Sequence, residues 1–457
     1  MLRILSAGAP LCGALLLAAT LGHGAEPTAP PWKPDTSDVT GNKDPLAYWT
    51  HWRGPSQQGY VADDKVPLKW SETENVAWKT KLPGGGHSSP IVYGDRVFLT
   101  ASNAKGSELY VLCVRATDGK ILWQRTAAKD VAADKTHQWN GYASPSCATD
   151  GKCVVAFFGT PGLFCYDLDG EPLWHREFGV FTSETGWGIG ASPIIYGDLV
   201  ILNCDNDGPR GLPRGGKAEA APMNLVALDK KTGKPVWQTP RDMGRGFSTP
   251  RLMRVAGGRL DLVLNGPLGC VGYDPADGKV RWQSKRSDAN DQMRFGEPLP
   301  VNDGEMLFVL SGRPGPWQAL KLPGDGDVTK ANLVWAGKRS GHRDVASPIL
   351  WDYRAYVADN KGMISCYDLK TGKELFNERF GGGRGKALAS PIAARGKLLF
   401  LLDDGTTVVL EPDTKLKEVG SNKLDGASLD FGASPAVADG KLFLRSQTHL
   451  YCISEKK

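Results

Sequence analysis

The side chains able to do chemistry lie far apart in this chain. Aromatic and charged residues alternate at long intervals: His87, Trp139 with Asn140, Trp187, Arg245 with Phe247, and Arg294 with Phe295. His342 with Arg343 and Asp344, then Arg384, Lys386 and Phe431, continue the series. Cations beside aromatic faces can clamp a flat anion, and the same set can hold an acidic peptide, a glycan or sulfate. It can equally be a solvated rim. Spacing assembles neither a Ser–His–Asp set nor a carboxylate pair, so no catalytic residue is assigned. The seven histidines and nine cysteines show no His-x-x-x-His or Cys-x-x-Cys spacing, which leaves zinc without support. Asn203-Cys-Asp205-Asn206-Asp207-Gly208 begins like a calcium loop, but its twelfth position is Arg214. A polar hairpin loop is the better reading, and no metal site is assigned.

Residues this scattered must be brought together by the elements between them. A unit that opens Ser-Pro, passes a Tyr-Gly-Asp or Asp-Gly turn and closes on Gly-Lys…Trp recurs along the chain. Its openings are Ser89-Pro90, Ser144-Pro145, Ser192-Pro193, Thr249-Pro250, Glu297-Pro298, Ser347-Pro348, Ser390-Pro391 and Ser434-Pro435, in steps of about 49 residues. Within each unit, short Val-, Ile-, Leu- and Phe-rich runs are separated by hairpin turns, which predicts four strands. Four-stranded units of this length predict an all-β, single eight-bladed β-propeller. The last unit stops after three strands. Glu74-Asn-Val-Ala-Trp78-Lys-Thr80 carries a terminal Trp with no unit before it, and is expected to complete the last blade and close the ring.

Trp78, Trp123, Trp174, Trp237, Trp282 and Trp335 end the outer strands, and are expected to dock on the neighbouring blade with the indole N–H on a carbonyl. Cys113, Cys165, Cys366 and Cys452 share one third-strand position where another blade has Ala227, as small packing residues would. Cys147 and Cys153 flank the Thr149-Asp150-Gly151 turn; register decides whether they bridge.

The repeat Asp229-Lys-Lys-Thr-Gly-Lys-Pro-Val-Trp237, with Asp368-Leu-Lys-Thr-Gly-Lys-Glu-Leu-Phe376, resembles the tryptophan-docking repeat of the pyrroloquinoline-quinone (PQQ) propeller superfamily. That superfamily holds eight-bladed PQQ-dependent dehydrogenases and also BamB-like scaffolds of the β-barrel assembly machinery. Trp52-Arg53-Gly54-Pro55 resembles a segment of exported PQQ-like members. The dehydrogenases often carry adjacent cysteines beside the cofactor, whereas no two cysteines are adjacent here. Their calcium-binding Glu and Asn and catalytic Asp match no motif of this chain. The resemblance therefore implies a BamB-like, non-enzymatic scaffold that binds a protein or envelope partner through its variable-loop face. The alternatives are a PQQ-dependent alcohol or sugar dehydrogenase, with PQQ and calcium, and a glycan-binding or glycan-processing propeller.

The three divisions expected are 1–25, a signal peptide; 26–73, a Pro-rich linker and N-terminal extension; and 74–457, the propeller. Met1 to Ala25 has an early cation, an uncharged run from Leu11 to Leu21 and a small-residue end, the pattern of a secretory signal. No later stretch has the ~18 apolar residues of a membrane span, so an exported, periplasmic or extracellular, soluble protein is expected. Lys plus Arg number 55 against 50 Asp plus Glu, which gives no bulk argument for nucleic acid. Gly numbers 56 of 457 residues, above the usual ~7%, as many tight turns require. Length alone would suggest three domains; one ring accounts for it.

Overall fold

The computed structural model describes residues 32–40, 46–132, 136–183, 186–208, 219–241, 246–286, 296–312, 315–339, 345–427 and 430–455. Residues 32 and 33 belong to a first unit; everything below concerns the second, Pro34–Lys457. The signal-peptide segment lies outside the described residues.

Eight sheets follow one another along the chain, at 91–128, 148–176, 194–240, 251–285, 301–339, 349–379, 392–423 and 436–453, numbered here blades 1 to 8. Each holds an antiparallel four-stranded meander, blade 8 with its outer strand from upstream, and blade 4 also carries Gly326–Asp327 parallel to its outer strand; together they form a β-propeller. Val76–Lys81 is the outer strand of blade 8, pairing with His449–Ile453 so that Trp78 lies opposite Cys452. Central strands such as Cys153–Phe157 are buried throughout, whereas the outer Val76–Lys81 alternates half-buried with exposed. The core accordingly sits between blades: Val155 and Cys165 of blade 2 pack with Val200 and Val226 of blade 3, and Leu307 of blade 5 with Val263 of blade 4.

The outer-strand tryptophans join neighbouring blades. The indole N–H of Trp78 donates to Ala116 O, that of Trp123 to Leu168 O, that of Trp174 to Lys230 O and that of Trp335 to Leu369 O, at 2.8–3.0 Å. Each ring lies on the next blade's turn glycine. A Cβ on Gly233 (φ +67°) would come within 2.6 Å of Trp174, so the Thr-Gly turn serves both a left-handed backbone and indole packing. Trp237 packs on Gly278 likewise, without a hydrogen bond from its N–H. Trp282 differs, donating to Asp261 of its own blade at 2.9 Å. Directly across from Trp78, Trp123, Trp174, Trp237 and Trp282 stand Cys452, Cys113, Cys165, Ala227 and Gly272, small residues that leave room for the indole.

The register decides one pairing left open and corrects one expectation. Cys147 and Cys153 are both free and buried. Thr149 pairs with Val154 and Ala148 with Val155, which puts the two cysteines out of register. Cys147 packs toward blade 1 and Cys153 toward blade 3, on opposite faces of the sheet. The correction concerns the repeat marks of blades 2 and 5. The residues in the ring position of Ser89 are Ser146 and Leu299, two places beyond Ser144 and Glu297.

Residues 46–63 do not trail from the ring; they fill its centre at the end bearing the short hairpin turns. Tyr48–Trp49 adds a strand to the inner edge of blade 1. Thr50 O accepts Thr149 N–H of blade 2, and His51 Nε2 accepts Ile195 N–H of blade 3. Gln57 and Gln58 accept Leu252 N–H and Asn302 N–H of blades 4 and 5. Arg53 donates to Pro348 O and Tyr60 to Leu350 O of blade 6. Gly59 and Val61 bond Ala393 of blade 7, while Trp52 Nε1 donates to Ser434 Oγ of blade 8. One short segment thus covers inner edges that would otherwise expose unpaired backbone groups.

Candidate functional site

The opposite end of the channel remains open as a cavity of about 170 Å³. Connections between blades build its wall, one after another. The blade 1–2 connection brings Trp139 and Asn140, the blade 2–3 connection Trp187, and the blade 3–4 connection Phe247. Glu297 comes from the blade 4–5 connection, His87 from the segment before blade 1, and Trp52 from the central segment.

The aromatic side of this cavity is held from behind. His137 stacks on Trp187 at 3.7 Å and meets Trp139 edge-on at 5.1 Å; the two indoles stand 6.4 Å apart. Asn140 Nδ2 donates to Trp187 O at 2.6 Å and Ile189 O at 2.9 Å, locking one connection to the next. Asn140 therefore positions the wall. Burial, and after it the nearby Arg445 charge, bring the His87 imidazole down to about 4, so His87 is neutral at neutral pH.

Below the aromatics runs a belt of hydroxyls. Ser89 N–H donates to Ser146 Oγ, Ser146 N–H to Ser192 Oγ, and Ser192 N–H to Thr249 Oγ1. Leu299 N–H donates to Ser347 Oγ, and the series passes through Ser390 and Ser434 back to Ser89 Oγ, each bond 2.8–3.0 Å. A hydroxyl that accepts still has its own proton to donate, so the belt offers O–H groups to whatever enters the channel. Blade 5 breaks the pattern: Leu299 has no hydroxyl, and the nearby Glu297 lines the cavity.

Of the residues expected at the channel mouth, the structure brings His87, Trp139, Asn140, Trp187 and Phe247 to one cavity. Arg384 is elsewhere, with Nη1 on Ser421 Oγ at 3.0 Å and 3.8 Å from Glu418, both on the outer strand of blade 7. Lys386 is held by its backbone, which exchanges hydrogen bonds with Asp403, and it does not line the cavity. Arg245, Arg294, His342, Arg343 and Asp344 lie outside the described residues. Sequence reasoning missed His137, Trp52 and the belt. The serines of Ser-Pro were visible as repeat marks but not as a hydrogen-bonded ring.

The calcium-like loop is internally satisfied. Arg241 takes Asp205 through Nε at 2.9 Å and Nη2 at 3.0 Å, and Asn206 Nδ2 donates to Cys204 O and Ala221 O. Among the described residues no cluster of three or more His, Cys, Asp or Glu could hold a metal ion. No helix among them is long and apolar enough to cross a membrane.

Comparison with known proteins points to the same architecture. A family profile described as outer membrane protein assembly factor BamB matches residues 58–133 and 107–315. The chain is 24% identical over 401 residues to the outer membrane protein assembly factor BamB of Burkholderia pseudomallei, covering 76% of this chain and 92% of that protein. It is 26% identical over 289 residues to the 1-butanol dehydrogenase (quinone) of Thauera butanivorans, covering 59% of this chain but only 41% of that enzyme. BamB from Moraxella catarrhalis superposes with a TM-score of 0.58 at 16% identity, over 83% of this chain and 97% of that one. The quinohemoprotein alcohol dehydrogenase from Comamonas testosteroni gives 0.63 at 11% identity, over 92% and 82%. With its profile match spanning more than half the residues, and eight blades in the order the repeat implies, this chain belongs to the PQQ-like propeller family described as outer membrane protein assembly factor BamB.

Proposed function

We propose that this protein is a non-enzymatic scaffold of the cell envelope, which holds a protein partner against the face bearing its long connections. One observation carries the reading. Residues 46–63 bond to all eight blades from the short-turn end, so the ring is a rigid platform whose opposite face is left for recognition. Irregular connections on a rigid scaffold are where binding resides. Match to a BamB over 92% of that protein's length supports it, as does the export pattern of Met1–Ala25.

The second reading, a PQQ-dependent dehydrogenase, draws on the aromatic cavity and the quinone-enzyme relatives. Trp139, Trp187 and Phe247 offer flat faces that suit a planar ring. The oxygen ligands that calcium requires are not matched: among described lining residues Glu297 is the lone carboxylate, and Asn140 Oδ1 already accepts Gly141 N–H at 2.9 Å. The described donor set therefore does not fit the metal-bound cofactor.

The test uses the purified mature protein as bait in envelope extract, beside a Trp139→Ala/Trp187→Ala variant. A partner recovered by the wild type and lost by the folded variant is the expected result. Equal recovery by both removes the open face as the binding surface. Dye reduction with alcohols or sugars after addition of PQQ and calcium would replace the scaffold by the dehydrogenase.

A further inference from the structure

Arg53, Arg251 and Arg445 lie wholly inside the ring, exposed by 1%, 1% and 0%. A buried guanidinium is ordinarily matched by a carboxylate, as Arg241 is by Asp205. Among the described residues Arg53 has none: its Nη2 donates to Gln58 O at 2.6 Å and Pro348 O at 2.9 Å. Among the described residues no carboxylate bonds Arg251 either, although the Asp35 charge acts on it; it donates to Pro300 O at 2.6 Å and to the Asn302 side-chain oxygen. Arg53 Nε and Nη1 and Arg251 Nε meet no acceptor among the described residues. The two charges sense each other. Burial, and after it the neighbouring Arg251, bring Arg53 down to about 9.

The local backbone is shaped around this pair. Arg53 (φ 66°) and Gln57 (φ 54°) hold left-handed conformations that non-glycine residues rarely adopt, a strain that gathers at ligand clamps. At Gly59 (φ +84°) a Cβ would meet Pro391 O first, at 2.7 Å, and then the Arg53 guanidinium, at 3.2 Å from Nη2 and 3.5 Å from Nε. Arginine does not give up its proton in proteins, so two like charges persist in a low-dielectric interior.

We propose that a small monovalent anion of the halide class binds between Arg53 and Arg251, and fastens residues 53–59 to blades 4 to 6. A spherical acceptor suits these N–H groups, whereas an oxyanion would turn further oxygens toward the carbonyls of Gln58, Pro348 and Pro300. The site is separate from the open cavity and stands independently of the scaffold reading.

Wild-type crystals in bromide, with anomalous data, locate the ion. Apparent Tm in chloride, bromide and gluconate at one ionic strength tests whether it matters. We expect an anomalous peak within hydrogen-bond reach of Arg53 and Arg251, and a Tm a few degrees higher in either halide. Arg251→Gln should remove the halide dependence. Water alone at that place overturns the proposal, as does a Tm equal in all three salts; a peak without a Tm difference would be an adventitious ion only. Should Arg251→Gln fail to fold, the wild-type peak and salt series decide.

Discussion

The two ends of the channel use the same inner strands for opposite purposes. At the short-turn end, residues 46–63 spend their polar groups on backbone: Thr50 O, His51, Gln57 and Gln58 each take one inward N–H from a different blade. At the other end the connections spend theirs on one another. Asn140 ties Trp187 into place, and the serines form a belt, leaving aromatic side chains and hydroxyls to line the channel. The first end makes the ring rigid; the second presents chemistry on it.

The comparison breaks most visibly through Trp49, buried to 1% where the central segment joins blade 1. Trp49→Ala should cost about 3–5 kcal/mol by chemical denaturation, as removal of a large core aromatic does. Wild-type stability in that variant would show that the segment does not tie the ring. Acid sharpens the contrast next. His51 accepts Ile195 N–H on Nε2 at 3.0 Å and shares a hydrogen with Thr50 through Nδ1 at 2.9 Å, an arrangement only the neutral ring allows. Burial takes both His51 and His87 down to about 4, from about 6.5 when unfolded. Above pH about 6.5 neither state takes up the proton, and stability is flat from this source. As pH falls toward 4 only the unfolded histidines bind it, so stability drops by roughly 3 kcal/mol for each. Acid-denaturation curves of His51→Gln and His87→Gln separate the two ends, and an unchanged wild-type curve down to pH 4 would contradict both. The smallest effect belongs to the open end: Trp187→Ala should cost about 1 kcal/mol or less. A collapse of the ring on that change would erase the distinction between the two ends.

Much of this was legible because blades repeat. Glycine turns, terminal tryptophans and Ser-Pro marks recur in one order, and the orphan strand around Trp78 pointed to its own partner. Where the reading slipped, local signals competed with register. Ser144-Pro145 and Glu297-Pro298 look like blade openings, yet the position that counts bears the belt, at Ser146 and Leu299. Cys147 and Cys153 look paired across a turn until register sets them on opposite faces. The central segment was illegible for another reason. Residues 46–63 have no periodicity, because they bond all eight blades in turn, and a single-copy adaptor leaves no repeat to find. Of the cation–aromatic series, His87, Trp139, Asn140, Trp187 and Phe247 converge on one cavity, whereas Arg384 turns outward to blade 7.

The pairing of Val76–Lys81 with His449–Ile453 also sets a timetable. During synthesis Trp52 and Val76–Lys81 appear hundreds of residues before their partners at 434–453. Until those partners arrive the early strand keeps an open edge, and Trp52 lacks the Ser434 oxygen it will donate to. Contacts this distant in sequence form slowly, and unpaired edges are liable to join other chains meanwhile. The ring therefore closes only when residues 434–453 are present, and the edge of Val76–Lys81 is exposed to other chains until then.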